Sequence, residues 1–305
     1  MTSIFSVLFF KIEWFGSAEL ELGLQSIIQM IVEIVPSDIV SPFINGNVIQ
    51  IVFIGVIIGF TVMLFSDSVS ELSTVILQMQ HIIMQVMHFL GMLMPVFMLV
   101  AVLKLLLSNS LMQLVEIIKP IVLIWVCYLL MIIIETIIVA IHTKTNALNL
   151  LKNTFSASLI GLTTSSSTAA IDKMNENCIK KLGVNSNVAN FAIPLGQVIF
   201  KPAAALSLFI CAMFAAQNAG ITINLIFIIT NLIISCVIGT SMAPVAGAMV
   251  SCISILYLQL GIPQDYIALG VSISLLLDNI GTMTNVQLLQ EEVFASQETI
   301  NEKLK

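Results

Sequence analysis

Long apolar runs separated by short polar stretches dominate the first half of the chain. Val48–Phe65, Phe89–Leu107 and Ile121–Ile141 each approach the roughly 20 apolar residues that a helix needs to cross a bilayer. These runs lack the polar outer face that a helix of a water-soluble protein presents to solvent. The pattern predicts an all-α membrane protein, with irregular and amphipathic sequence in residues 1–47 and membrane helices in residues 48–141.

The pattern changes from about Asn149 onward, where the apolar segments become too short to span a bilayer. Phe155–Leu162 leads into the polar stretch Thr163–Thr168, and Leu225–Ile238 leads into the small-residue stretch Gly239–Gly247. A short helical segment follows each stretch, so each unit reads as a helix, a tip and a returning helix. The sequence therefore predicts two re-entrant helical hairpins.

A longer apolar span follows each of these hairpins. Two such units in corresponding positions are typical of an inverted-repeat secondary transporter, in which hairpins and broken helices surround the ligand site. Irregular backbone cannot face lipid, so both tips must line a buried or water-filled cavity. Residues 142–290 are accordingly the predicted transport core, and residues 291–305 are a predicted cytoplasmic tail.

Composition supports the membrane interpretation and removes several other classes of protein. The chain is 58% hydrophobic and only 9% charged, with a mean hydropathy of +1.08, whereas soluble domains carry roughly 25% charged residues. A net charge of −6 and the lack of a basic patch argue against nucleic-acid partners. Five cysteines without CxxC spacing and three scattered histidines predict neither a disulfide framework nor a metal site. An intramembrane hydrolase would need a base beside its nucleophile, which Ser166 lacks, so no enzyme is predicted.

The charged residues give the topology. Lys144, Lys152, Lys180 and Lys181 bracket the base of the first hairpin, and the base of the second has no lysine. The positive-inside rule then places the first base in the cytoplasm of a multi-pass protein of the cell membrane. Glu135 lies inside a long apolar helix, where a carboxylate is either a functional group or a cavity-facing residue without a role.

Several short motifs resemble the dicarboxylate/amino acid:cation symporter family of glutamate-transporter-like proteins. They are Thr164–Ser167, Pro194–Gly196, Ile238–Thr240 and Asp278–Asn285, together with the segment that begins at Asn45–Val48. The resemblance implies eight membrane helices, two re-entrant hairpins, a homotrimer and an elevator-like movement of the hairpin domain. Only the second half of that pattern is present, so we expect an N-terminally shortened chain that lacks the first three helices. The resemblance then implies the end of a scaffold helix within residues 1–47, and part of the scaffold with the start of the core within residues 48–141.

The resemblance also implies a substrate site. Asp278 would bind the amino group of an amino acid and Asn285 its α-carboxylate, and their seven-residue spacing puts both on one helix face. The alternative for Asp278 is a buried aspartate that merely caps or pairs. The substrate-binding residues expected in this way are Ser166, Ser167, Thr240, Met242, Asp278, Gly281, Thr282 and Asn285.

The chain departs from the family at the positions that choose the substrate and the ion. The family arginine that selects an acidic side chain falls at Gly281, which implies a neutral amino acid or another small zwitterion and a larger pocket. The sodium-binding run is replaced by Phe200–Ala204, and two further sodium carboxylates by Ser274 and Leu289. Because hard cations need several oxygen ligands, we expect weakened or absent sodium coupling and no resident metal.

Lys201 is the predicted ion-coupling residue, and backbone near Thr240 could hold one weak ion. An ammonium at the helix break can take the place of a bound cation, and burial disfavours its charged form, which would let it exchange protons. Sodium ions and protons are therefore the candidate coupling ions, and no other cofactor is expected. The alternative is that Lys201 snorkels or pairs permanently with Asp278. In that case the chain would be a non-transporting family member, either a pseudogene product or a regulatory membrane protein.

Overall fold

The computed structural model describes residues 35–45, 48–65, 70–92, 96, 99–100, 111–242 and 248–303. Most of the predicted segment 1–47 and of the apolar run Phe89–Leu107 lies outside these residues. Within them every regular element is helical. The helices are α1 (Ser41–Asn45), α2 (Val48–Leu64), α3 (Ser70–Met92), α4 (Leu111–Thr143), α5 (Ala147–Thr164), α6 (Ile171–Glu176), α7 (Ser186–Ile199), α8 (Pro202–Asn218), α9 (Leu225–Ser241), α10 (Ala248–Gln259) and α11 (Ile267–Lys303).

Two helical segments in the described ranges are long and apolar enough to cross a membrane, Ile118–Thr143 and Ser186–Asn218. A third segment qualifies if Gln264–Ser274 and Leu276–Ile300, which meet at a bend of 57°, count as one span. α9 and α10 are apolar but shorter. Ile118–Thr143 includes the predicted span Ile121–Ile141, whereas α2, at the predicted span Val48–Phe65, is 17 residues long and falls among the shorter apolar helices.

The first predicted hairpin is a helix pair that turns back on itself. Asn146 caps α5 by accepting hydrogen bonds from the backbone N–H groups of Leu148 and Asn149. α5 ends at Ser165, whose backbone is left-handed with φ of 51°. The chain then passes through a 3₁₀ turn, α6 and the π-helical segment Asn177–Lys181, all packed against α5. Whether this pair re-enters the membrane stays a prediction.

The next span is broken between α7 and α8. Phe200 and Lys201 both leave the helical conformation, with φ/ψ of −94°/91° and −133°/58°. Pro202 opens α8 at a position where its missing N–H leaves no helical hydrogen bond unmade. α9 and α10, which flank residues 243–247, form the helices of the second predicted hairpin.

α11 is the central helix and packs against α4, α5, α7, α8 and α10. Its residues Ile273 and Leu277 belong to an apolar cluster with α4, α8 and α10, whereas Val286 and Leu289 belong to another with α5, α6 and α7. Residues 278–285, which carry all four predicted last-helix ligands, lie between the two clusters along the helix. The helix continues to Lys303, beyond the core boundary predicted at residue 290.

Candidate functional site

A cleft forms where the break between α7 and α8, the tip after α5 and the end of α9 meet the middle of α11. The cleft is narrow and partly open to solvent. The lining residues are Ser165, Ser167, Gln197, Phe200, Lys201, Met242, Asp278, Thr282, Asn285, Val286 and Leu289. The structure thus brings six of the predicted site residues together: Ser167, Lys201, Met242, Asp278, Thr282 and Asn285.

Asn285 is held by the start of α8. Its side-chain Oδ1 accepts a hydrogen bond of 2.9 Å from the backbone N–H of Ala203. An asparagine side chain has one acceptor oxygen and one nitrogen that donates. Because the oxygen is engaged, the amide nitrogen is the group with which Asn285 can donate to a ligand in the cleft.

Lys201 is 4% exposed, and its ammonium donates a hydrogen bond to the backbone carbonyl of Met242. That carbonyl lies at the C-terminal end of α9, where the helix dipole favours a positive charge. Asp278 lines the same cleft. Among the described residues of the lining, Lys201 is the one cation and Asp278 the one anion, so their charges balance.

The sequence did not identify two polar residues of the lining. Ser165 donates a hydrogen bond of 2.6 Å to Asn279 Oδ1 on α11, which ties the tip to the central helix. Gln197 has a buried Oε1 atom without a hydrogen-bond partner among the described residues. Ser165 lies inside the serine-rich motif and Gln197 directly follows Pro194–Gly196, so both motifs carried a usable signal.

Gly281 lines a small adjoining pocket, which shares Met242, Asp278, Thr282 and Asn285 with the main cleft. A Cβ atom at Gly281 would lie 3.0 Å from the hydroxyl oxygen of Tyr128. The space beside this glycine, which was expected to enlarge the pocket, is therefore bounded by a tyrosine.

Ser166 and Thr240 lie outside the set of residues that line the cleft. The Oγ of Ser166 accepts a hydrogen bond of 3.4 Å from the N–H of Ala169, so this serine takes part in the hydrogen bonding of the tip. Thr240 is exposed and donates to the carbonyl of Val237 at 2.9 Å. Their roles in substrate or ion binding stay predictions.

The residues at the family's sodium positions do not fit a carboxylate-based sodium site. Leu289 is buried and packs closely on Gly196, so a Cβ atom at Gly196 would overlap the Leu289 side chain. Ser274 is also buried, and its hydroxyl donates within its own helix to Val271 at 2.8 Å. No group of three or more His, Cys, Asp or Glu residues suited to a metal ion occurs in the described part of the chain.

Comparison with known proteins agrees with the motifs. A sequence model of the sodium:dicarboxylate symporter family matches residues 16–288. An excitatory amino acid transporter of Caenorhabditis elegans is 29% identical over 147 residues, which are 48% of this chain and 29% of that protein. The neutral amino acid transporter B(0) of Mus musculus is 28% identical over 124 residues, covering 41% of this chain and 22% of that protein. Excitatory amino acid transporter 5 of Homo sapiens is 30% identical over 146 residues, covering 47% and 26%.

These matches confirm the predicted family and the all-α membrane fold, and the transport proteins among them agree with the expectation that the chain is not an enzyme. The matched segments cover less than a third of the length of each of these relatives.

Proposed function

Because the chain belongs to the sodium:dicarboxylate symporter family, we propose that it is a multi-pass carrier of the cell membrane that moves a small neutral amino acid. The balanced pair of charges in the cleft is the observation that carries this proposal. A zwitterion brings one cationic and one anionic group, and the described lining offers one charge of each opposite sign in Asp278 and Lys201.

Each end of a zwitterion finds groups of the right chemistry. The substrate ammonium would donate to the Asp278 carboxylate and to Gln197 Oε1, a buried acceptor without a described partner. The substrate carboxylate would accept from the amide nitrogen of Asn285 and lie within the field of the Lys201 ammonium. The hydroxyls of Ser167 and Thr282, which also line the cleft, complete the polar surface.

An acidic amino acid fits less well. Its second carboxylate would need a further cation, and the sequence contains no arginine. The position where such a cation is expected from the family is Gly281, which faces Tyr128. The relatives named above include both excitatory and neutral amino acid transporters at similar identity, so they do not distinguish the two kinds of substrate. The charge of the cleft is therefore the better guide to the substrate.

Lys201 would stand in for a bound cation and make transport independent of sodium. Its ammonium occupies the carbonyl end of α9, where a free cation would otherwise find oxygen ligands. Because burial disfavours the charged form of a lysine, a coupled cycle at Lys201 would exchange protons. An elevator movement of the core and a homotrimeric assembly complete the proposal by family resemblance.

The test is uptake into proteoliposomes of a labelled panel of neutral amino acids, with aspartate and glutamate as comparison. Sodium and proton gradients are imposed separately. We expect saturable uptake of a neutral amino acid without sodium. Uptake only with sodium would contradict the role of Lys201, and uptake of glutamate in preference would contradict the neutral substrate. No uptake by demonstrably folded protein would favour the non-transporting alternative.

The matched variants are Lys201→Met and Lys152→Met. Lys201 is buried and hydrogen-bonded to Met242, whereas Lys152 is exposed near the base of α5. Loss of a charge-assisted hydrogen bond corresponds to roughly 10- to 100-fold in an equilibrium constant. We expect a loss of uptake of that order, together with part of its pH dependence, in Lys201→Met and no change in Lys152→Met. Unchanged pH dependence in Lys201→Met would exclude proton exchange at this lysine.

A further inference from the structure

A second polar site lies beyond the cleft, further along α11 and between α4 and α5. Glu291 is fully buried there. Both of its carboxylate oxygens lie 3.0 Å from the hydroxyl of Thr136 on α4. Gln287, one turn earlier on α11, donates its amide nitrogen to Glu291 Oε1 at 2.6 Å.

The orientation of Gln287 is set by its other partners. Its Oε1 accepts a hydrogen bond of 2.6 Å from the hydroxyl of Ser158, and its nitrogen also donates to the hydroxyl of Thr154. Thr154 in turn donates to the carbonyl of Leu150 at 2.9 Å. The network therefore presents N–H and O–H donors to Glu291.

No cation of the described residues pairs with Glu291. The ion pairs in the described part of the chain are those of Glu176 with Lys173 and Lys180. The charged neighbours of Glu291 are acidic: Glu135 on α4 and Glu292 on α11.

On α4, Lys119 and His142 are exposed, as is Lys144 just after it. Lys181, on the π-helical segment, bonds to Ser156 at 3.2 Å and to the carbonyl of Asn153 at 3.3 Å. Lys152 on α5 is exposed.

Two physical effects oppose each other at this carboxyl group. Burial without a counter-charge makes an ionised carboxylate costly, while the donors Thr136 and Gln287 stabilise that ionised form. A threonine hydroxyl can donate or accept. When a proton from water binds to a carboxylate oxygen of Glu291, Thr136 can turn from donor to acceptor, so the hydrogen bond between the two side chains is kept in both states.

We propose that Glu291 is a proton-binding residue of the core, separate from the substrate cleft. The site itself follows from the buried network between α4, α5 and α11. Its part in transport rests on the proposed function: exchange of the Glu291 proton between the two sides would make uptake respond to a proton gradient in addition to any exchange at Lys201.

The proton site is tested by pH-difference infrared spectroscopy on the purified full chain in lipid. A protonated carboxyl group gives a C=O stretching band, and we expect a titrating band of this kind that is lost in Glu291→Gln. The matched control is Glu298→Gln on the same helix, in which the band should remain. The variants Glu135→Gln and Glu292→Gln show whether a neighbouring carboxyl group produces the band instead. A band that survives in Glu291→Gln, or is lost only in one of the neighbour variants, would overturn the proposal.

A second variant keeps the carboxyl group and removes its partner. Thr136→Val should shift the pH at which the band titrates, because the ionised form loses a donor. Thr143→Val removes a hydroxyl from the end of the same helix and should leave the pH of the titration unchanged. An identical titration in wild type and Thr136→Val would contradict the hydrogen-bonded site.

The transport role has its own readout. In proteoliposomes, an imposed proton gradient should change the rate of wild-type uptake by several-fold, and Glu291→Gln should lose a large part of that response. An equal response in wild type and Glu291→Gln would overturn the coupling role. If the wild type takes up no substrate at all, the proposed function fails, and the infrared titration still decides whether Glu291 binds a proton.

Discussion

Gly281 lies directly against the side chain of Tyr128 beside the cleft. Tyr128 is 1% exposed, and its hydroxyl lies 3.2 Å from the carbonyl of Ala203 and forms a hydrogen bond with Ser207. A Cβ atom at Gly281 would lie 3.0 Å from the tyrosine oxygen and 3.5 Å from the ring carbon that bears it. Since these polar contacts hold the ring in place, even a methyl group at Gly281 requires the tyrosine to shift.

The expected consequence is a coupling between the two positions. Gly281→Ala should lower the free energy of unfolding more in the wild-type background than in Tyr128→Phe, where the nearest atom is absent. A double-mutant cycle cancels both the helix propensity of alanine and the hydrogen bonds lost with the hydroxyl. We expect a coupling of roughly 1 kcal/mol, measured by unfolding in detergent. Additive effects of the two substitutions would show that the tyrosine can move freely.

At this scale, sequence reasoning succeeds where a single element carries the information. The spacing of Asp278 and Asn285 along one helix predicts that they share a face, and both line the cleft. Tyr128 is far from Gly281 in the chain, and no local pattern records their contact. The same limit explains Gln197, whose buried oxygen becomes noticeable only when the surrounding helices are in place.

Packing between α8 and α9 depends on small residues beside the helix break. A Cβ atom at Gly239 would lie 3.0 Å from the backbone nitrogen of Ala205 and 3.1 Å from its Cα. Backbone atoms cannot rotate aside as a side chain can, so the two helices would have to separate. The carbonyl of Met242, which accepts from Lys201, lies at the end of this same helix.

Gly239→Ala should therefore destabilise the protein by about 1–3 kcal/mol through overpacking. The matched control is Gly59→Ala in α2, where nothing lies within 4 Å of the new Cβ atom. Because alanine favours a helix interior over glycine by about 1 kcal/mol, the control should be neutral or stabilising. Chemical unfolding of both variants in the same detergent gives the comparison, and equal changes would contradict the close approach of the two helices.

The order of the helices follows from the apolar pattern, whereas the burial of Glu291 does not. Residues 142–290 were expected to form the transport core and residues 291–305 a cytoplasmic tail, whereas α11 is one continuous helix to Lys303 and Glu291 on it is buried. Hydrogen bonds to Glu291 from Thr136 and Gln287 instead allow this carboxyl group to be buried. The burial of Glu291 depends on polar contacts between helices, which a hydropathy pattern does not contain.

The cleft joins elements from the whole second half of the chain. Its lining comes from the tip after α5, from α7 and the break before α8, from the end of α9 and from α11. A ligand held between Asp278, Gln197 and Asn285 would bridge these elements at the centre of the fold. Binding should therefore stabilise the whole core and not one helix alone.

Ligand binding to the folded state raises the free energy of unfolding in proportion to the logarithm of ligand concentration. At about 100 times Kd, a neutral amino acid substrate should add roughly 2.7 kcal/mol, visible as a higher Tm in detergent. Glutamate should add less, because its second carboxylate has no further cation in the described lining. Asp278→Asn should lose the effect, since the ligand ammonium then meets no carboxylate. Asp172→Asn, an exposed aspartate on α6, should keep it. If Asp278→Asn were stabilised as strongly as wild type, the amino acid would bind elsewhere and the cleft would not be the substrate site.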